Sequence, residues 1–168
     1  MAFLDALPQW PDGTAGWLIT HGELSPERLG EGGADERPGA TDPAQPLVAW
    51  PHAIPVSTVL RTGPRSVLLA LGRRRGSLRR LRENPRVALA VIAPGAAFTA
   101  QGLAAVAAEP LPGAERVVAV TIIVARIHDH DHFTFALDDG PRWRWTDEDA
   151  RQADAATRAA LQALAQRE

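Results

Sequence analysis

From Ala53 to Ile127 the chain is a succession of short, apolar, β-branched runs cut by glycine and proline, and this punctuation restricts the fold more than any other feature. Ala53 to Arg61 is bounded by Pro51 and by Gly63-Pro64, and Ser66 to Leu71 follows across that turn, so the two read as strands of one hairpin. Arg86 to Ala93 is a nearly continuous apolar strand. Phe98 to Ala108 is another, with Gly102 marking a bulge or a place where two backbones come close. Arg116 to Ile127 is a long one, with nine apolar residues in twelve. Ahead of them, Trp17-Leu18-Ile19-Thr20 follows the turn signal Pro11-Asp12-Gly13 and reads as the first strand. Phe133 to Leu137 and Arg142 to Trp145 read as a final hairpin over Asp138-Asp139-Gly140.

Two stretches change to a helical period. After Gly76, Ser77 reads as an N-cap, Leu78 and Leu81 share one face, and Asn84-Pro85 stops the turn, because a residue before proline disfavours the α region. This gives a helix of about two turns. Thr146, followed by Asp147, Glu148 and Asp149, reads as the cap of a C-terminal helix over residues 146–166. Its apolar stripe is thin, mostly alanine with Leu161 and Leu164, which predicts a place on the surface or against a partner subunit. From Gly22 to Pro46 there are five glycines, four prolines and six acids, the composition of a solvated, mobile loop near the mouth of a binding site. Many strands, two helices and no alternation of strand with long helix predict a mainly β fold, an antiparallel barrel with helical appendages. At 168 residues one domain over 1–168 is expected, with 22–46 as a loop insertion.

Composition removes several functional classes. The chain has no cysteine, so disulfides, thiolate metal sites and a cysteine nucleophile are excluded. No uninterrupted apolar run approaches the ~20 residues that cross a bilayer, and the N-terminus lacks the basic and apolar regions of a secretory signal. A cytoplasmic protein without a membrane partner is expected. The net charge of −2 offers no global attraction to nucleic acid. No Ser-His-Asp, Walker or paired-carboxylate arrangement stands out.

Charge distribution says more than charge. All 18 cations are arginine, and seven of them (Arg73, Arg74, Arg75, Arg79, Arg80, Arg82 and Arg86) fall within fourteen residues that hold one acid, Glu83. Arg73, Arg74 and Arg75 precede a helix start that already carries about +0.5 charge from aligned peptide dipoles, so they are misplaced there unless an anion joins them. A phosphate fits: the first turn offers free N–H groups, Gly76 admits close approach, Ser77 brings a hydroxyl and arginine binds phosphate oxygens in pairs. The competing reading is a run of solvated cations.

Read in order, Pro51-His52-Ala53-Ile54-Pro55-Val56-Ser57, then Leu68-Leu69-Ala70-Leu71-Gly72, then Arg75-Gly76-Ser77-Leu78-Arg79-Arg80-Leu81-Arg82-Glu83-Asn84-Pro85-Arg86-Val87-Ala88-Leu89 resembles the pyridoxamine 5′-phosphate oxidase-like split β-barrel flavoproteins. The likeness runs from about Trp50 to Ile127. It implies a six-stranded antiparallel Greek-key split barrel, a homodimer and FMN at the subunit interface. In that picture Val56, Ser57, Thr58, Val59 and Arg61 lie along the isoalloxazine, Ala70 and Leu71 flank it, and Arg75, Gly76 and Ser77 hold the phosphate. Many members place Ser-Arg-Lys in that turn, whereas here Arg75 stands at the serine position and Ser77 at the basic one. Some relatives use a deazaflavin coenzyme instead, and some bind haem or no cofactor. The resemblance therefore implies an FMN-dependent oxidoreductase acting on a small-molecule substrate, with a deazaflavin-dependent reductase or a non-catalytic flavin sensor as alternatives.

Arg126-Ile127-His128-Asp129 resembles the segment that faces substrate in the vitamin oxidases, which implies substrate contacts for Arg126 and His128. On a strand His128, His130 and His132 would share one face, but they lack an obvious further metal ligand, so no metal is assigned. Trp143 and Trp145 alternate with Arg142 and Arg144, so the indoles either pack in the core or against the C-terminal helix, or form an aromatic wall beside a flavin supplied across the dimer. Trp50 and His52 either border the cofactor or close the barrel end.

Overall fold

The computed structural model describes residues 2–22, 51–130, 140 and 143–167. It contains seven strands and two helices: β1 (Gly16–His21), β2 (Pro51–Val56), β3 (Leu60–Gly63), β4 (Ser66–Gly72), α1 (Gly76–Glu83), β5 (Arg86–Ala93), β6 (Ala96–Ala108), β7 (Val117–Asp129) and α2 (Glu148–Ala165). All seven strands form one antiparallel sheet in the order β2-β1-β5-β6-β7-β4-β3. The fold is mainly β with a short helix and a C-terminal helix, as expected, but with seven strands rather than six.

The extra strand comes from a break in the run from Ala53 to Arg61. Its first half pairs with β1, from Gly16↔Val56 to His21↔Pro51, and only its last residues pair with β4, through Leu60↔Leu68 and Arg61↔Val67. The expected hairpin is thus confined to β3 and β4. This break also dictates curvature. Laid flat, seven strands at ~4.8 Å spacing would hold β2 and β3 about 29 Å apart, whereas the three residues Ser57-Thr58-Val59 that join them span at most about 14 Å. The sheet must therefore curl until its two edges meet, giving a barrel that is split where β2 passes into β3.

Strand alternation sorts the two faces. Leu18, Leu89, Val91, Phe98, Val67, Leu69, Val120 and Ile122 point into the barrel and are buried there, with Leu78 and Leu81 of α1 packed against them. On the outer face, Leu68 and Ala119 meet Leu111 and Leu161, so α2 docks on the sheet of its own chain. The thin stripe suffices because Leu161 alone is 1% exposed.

Helix starts differ from expectation by one or two residues. The N-cap of α1 is Arg75, without a side-chain cap, and Ser77 sits buried in the first turn. For α2 the cap is Asp147 rather than Thr146, its carboxylate accepting from the Ala150 amide at 2.7 Å. Residues 143–145 are not a strand, and the rest of the expected last hairpin apart from Gly140, like most of the 22–46 loop, Trp50 and His132, lies outside the described residues.

Candidate functional site

A cleft of about 620 Å³ opens at the split, within the range of small-molecule sites. One wall is the β2–β3 junction and the end of β4, from Ile54 to Thr58 and from Ala70 to Gly72, with Trp17 beside them. The other is α2, through Ala150, Ala153, Asp154 and Thr157, together with Trp143 and Trp145. Arg75 and Val117 stand at one end. The lining is apolar apart from Ser57, Thr58, Arg75, Asp154 and Thr157, a composition suited to a flat apolar body with a polar end.

Each wall has an identifiable support. Thr58 is 6% exposed and uses its hydroxyl as a substitute strand partner: Oγ1 accepts from the Ala70 amide at 3.1 Å and faces the Ala70 carbonyl at 3.5 Å. That holds the break against β4. Ser57 Oγ donates to Asp154 Oδ1, while Asp154 Oδ2 takes Arg158 Nε at 2.7 Å, so a hydrogen-bonded carboxylate fastens α2 across the cleft. The two tryptophan rings meet edge to face, centroids 5.3 Å apart at 86°, an arrangement favoured by the ring quadrupoles. Trp143 Nε1 also donates to the Gly13 carbonyl at 3.3 Å, tying this wall to the turn before β1, where Gly13 has a φ of +85°.

Of the ten residues expected around a cofactor, Val56, Ser57, Thr58, Ala70, Leu71 and Arg75 line this one cleft. Gly76 is exposed at the start of α1. Ser77 lies beneath that turn, 2% exposed, and its Oγ has no hydrogen-bond partner among the described residues. Val59 lines an adjoining hollow of about 370 Å³ behind the tryptophans. Arg61 is turned away, its Nε donating to the Leu7 carbonyl at 3.1 Å.

Arg126 and His128 are not brought to the cleft. They stand about 30 Å of strand beyond Val117 on β7, where His128 packs on Phe3 at 4.8 Å and bonds Gln101 at 3.2 Å. His130 lies past the end of β7 and bonds Thr99 at 2.7 Å, and no metal-competent cluster occurs among the described residues. His52 sits on β2, its pKa lowered by partial burial and by the nearby Arg80, whose Nε donates to the fully buried Thr20 at 3.2 Å.

Sequence reasoning missed the α2 wall. Asp154 and Thr157 are ordinary residues of an amphipathic helix until its docking face is known, and no local pattern distinguishes them. It also missed a groove of about 990 Å³ lined by Arg73, Arg74, Arg75, Glu109, Glu115 and Arg116, which meets the cleft at Gly72 and Arg75. Arg116 reaches this groove only through the pairing of β4 with β7.

Fold and site together define an antiparallel barrel with a ligand-sized cleft at its split. No protein-family model matches the sequence, and no curated protein matches it. Among solved structures the chain is similar to a Listeria innocua protein provisionally assigned as a pyridoxamine 5′-phosphate oxidase, with 15% identity, a TM-score of 0.46, and coverage of 71% of this chain and 90% of that one. A Lactobacillus delbrueckii protein with the same provisional assignment shows 11% identity and a TM-score of 0.47 over 68% of this chain and 83% of its own. An F420 reductase shows 14% identity and a TM-score of 0.41 over 68% and 89%. Among the described residues no helix is long and apolar enough to cross a membrane.

Proposed function

We propose that the protein binds FMN, or a deazaflavin in its place, and is an oxidoreductase for a small molecule. The observation that carries this reading is the cleft itself: apolar walls with two tryptophans, ending at the guanidinium of Arg75, which has no ion-pair partner among the described residues, beside the start of α1. A bound flavin or deazaflavin would supply the hydride chemistry. The chain's own residues would do the rest. Val56, Ala70, Leu71, Trp143 and Trp145 exclude water from a flat ring, Thr58 and Asp154 keep the two walls at their spacing, and Arg75 holds the anionic end. A flavin sensor that never turns over is the second reading, favoured by a cleft in which Asp154, an obvious acid, is already engaged by Ser57 and Arg158.

The purified protein should show the absorbance of oxidised flavin, or acquire it on titration with FMN, and NAD(P)H or reduced deazaflavin should bleach it. A protein that takes up neither FMN nor deazaflavin loses the proposal, and a bound flavin inert to every donor reduces it to the sensor.

A homodimer is proposed with it. Leu103 and Ile123 face each other across β6 and β7 and are 55% and 58% exposed, on the outer face that α2 leaves open. A second copy of the chain, bringing the same apolar patch about a two-fold axis, would cover it. Light scattering should give twice 18.0 kDa, and Ile123→Asp should halve that mass; an 18.0 kDa particle at micromolar concentration rejects the dimer.

A further inference from the structure

The groove beside the cleft carries more positive charge than one phosphate needs. Arg73 and Arg116 are locked side by side, the Arg73 amide donating to the Arg116 carbonyl at 3.1 Å next to the Gly72↔Val117 pair of β4 and β7. Arg74 and Arg75 follow in the turn, where the Arg75 amide donates to the Gly72 carbonyl at 3.0 Å. Arg75 folds its stem over Gly72, so close that a Cβ there would come within 3.2 Å of its Cγ. Two chain segments more than forty residues apart thus set four guanidinium groups around one groove. Among the described residues none of the four has an ion pair or a side-chain hydrogen bond. Of the two acids among its described lining residues, Glu109 is engaged by Arg82, which leaves Glu115 among them to offset four cations.

Four cations held together by backbone pairing repel one another unless anions sit between them. A phosphate dianion at Arg75 balances two of the four and leaves the others as they were. We infer that this groove binds an oligoanion: a chain of two or three phosphate or carboxylate groups, the first at Arg75 and the rest across Arg73, Arg74 and Arg116. Such a chain has two sources, an anionic tail on the ligand of the adjoining cleft or a separate small polyanion. Either meets the groove through the same bidentate guanidinium contacts. The inference stands on the groove alone and survives if the cleft takes no flavin.

The test is a calorimetric titration of the protein with inorganic phosphate, pyrophosphate and tripolyphosphate at constant ionic strength. Affinity should rise roughly tenfold with each added phosphate. Arg116→Ala and Arg74→Ala, both at exposed positions, should each weaken tripolyphosphate about tenfold and leave inorganic phosphate within about twofold, whereas Arg75→Ala weakens both. Tripolyphosphate and FMN should compete, since both reach Arg75. FAD binding more tightly than FMN, with the difference lost in Arg116→Ala, supports a tail on the cleft's ligand, and FAD binding no more tightly than FMN supports a separate polyanion. Simultaneous binding of tripolyphosphate and FMN overturns the placement at Arg75. Equal affinity along the phosphate series, or indifference to Arg116→Ala and Arg74→Ala, overturns the inference. Tighter binding of a single-stranded oligonucleotide than of tripolyphosphate also overturns it, in favour of a nucleic-acid surface.

Discussion

Gly102→Ala should lower the free energy of unfolding by about 3 kcal/mol, because a methyl group has nowhere to go where β6 crosses β7. A Cβ at Gly102 would lie 2.2 Å from the Ile123 carbonyl oxygen and 2.9 Å from its carbon, both backbone atoms that cannot swing aside like a side chain. The register slips between Gln101 and Gly102, so the bulge brings the two main chains together at the middle of the longest strand pair. Relief requires the strands to part, which breaks ladder hydrogen bonds on both sides. The urea midpoint should fall with an unchanged slope, and Tm should drop by about 6–12 °C. Gly95→Ala is the control. Gly95 has a φ of +73° and open space around it, so its loss is the backbone strain of about 1 kcal/mol alone. If Gly102→Ala costs no more than Gly95→Ala, the close approach is not rigid.

Arg75→Ala should weaken FMN about ten- to a hundredfold while changing riboflavin little, since only FMN brings the phosphate. A charge-assisted hydrogen bond of roughly 1.5–3 kcal/mol sets that range. The side chain lines both the cleft and the arginine groove and is exposed, so its removal leaves the core untouched. Ser77→Ala serves as the contrasting variant. Its Oγ is buried without a partner among the described residues, so deleting it should leave the ligand-free protein at least as stable as before. Equal losses for FMN and riboflavin on Arg75→Ala, measured by fluorescence titration, would place the phosphate away from this turn.

Strand positions were legible where burial and chain chemistry agree. Arg86 to Ala93 matches β5 at both ends, and Gly102 shows its purpose in the sequence, because a glycine inside an apolar strand wastes packing unless another backbone needs the room. Ala53 to Arg61 misled for a physical reason. Thr58 has strand-like character and is buried, but its hydroxyl takes the place of a backbone partner, so a continuous β-branched run contains a break that its composition hides. Of the site, the residues contributed by β2, β4 and the turn at Arg75 could be placed in order from local patterns. Trp143 and Trp145 were legible only as one of two readings, and the Asp154 wall was not legible at all, because it depends on where α2 docks, and that is decided by Leu68 and Ala119 on strands distant in sequence. Arg116 was hidden for the same reason, as a single cation ahead of a strand.

The pairing of β4 with β7, which carries part of one wall and one end of the cleft, also bears on how the molecule comes apart. β5 and β6 close a hairpin through Ala93↔Ala96, whereas Gly72 must find Val117 and Ser66 must find Ile123 across everything between them. Closing so long a loop is entropically slow, so the β4–β7 seam should be sealed late in folding and opened early in unfolding. Ala70, Leu71, Gly72 and Val117 all sit on that seam. A molecule bound there bridges contacts that the rate-limiting ensemble has not yet made, so it acts as a latch: it lengthens the lifetime of the native state and leaves the speed of folding where it was.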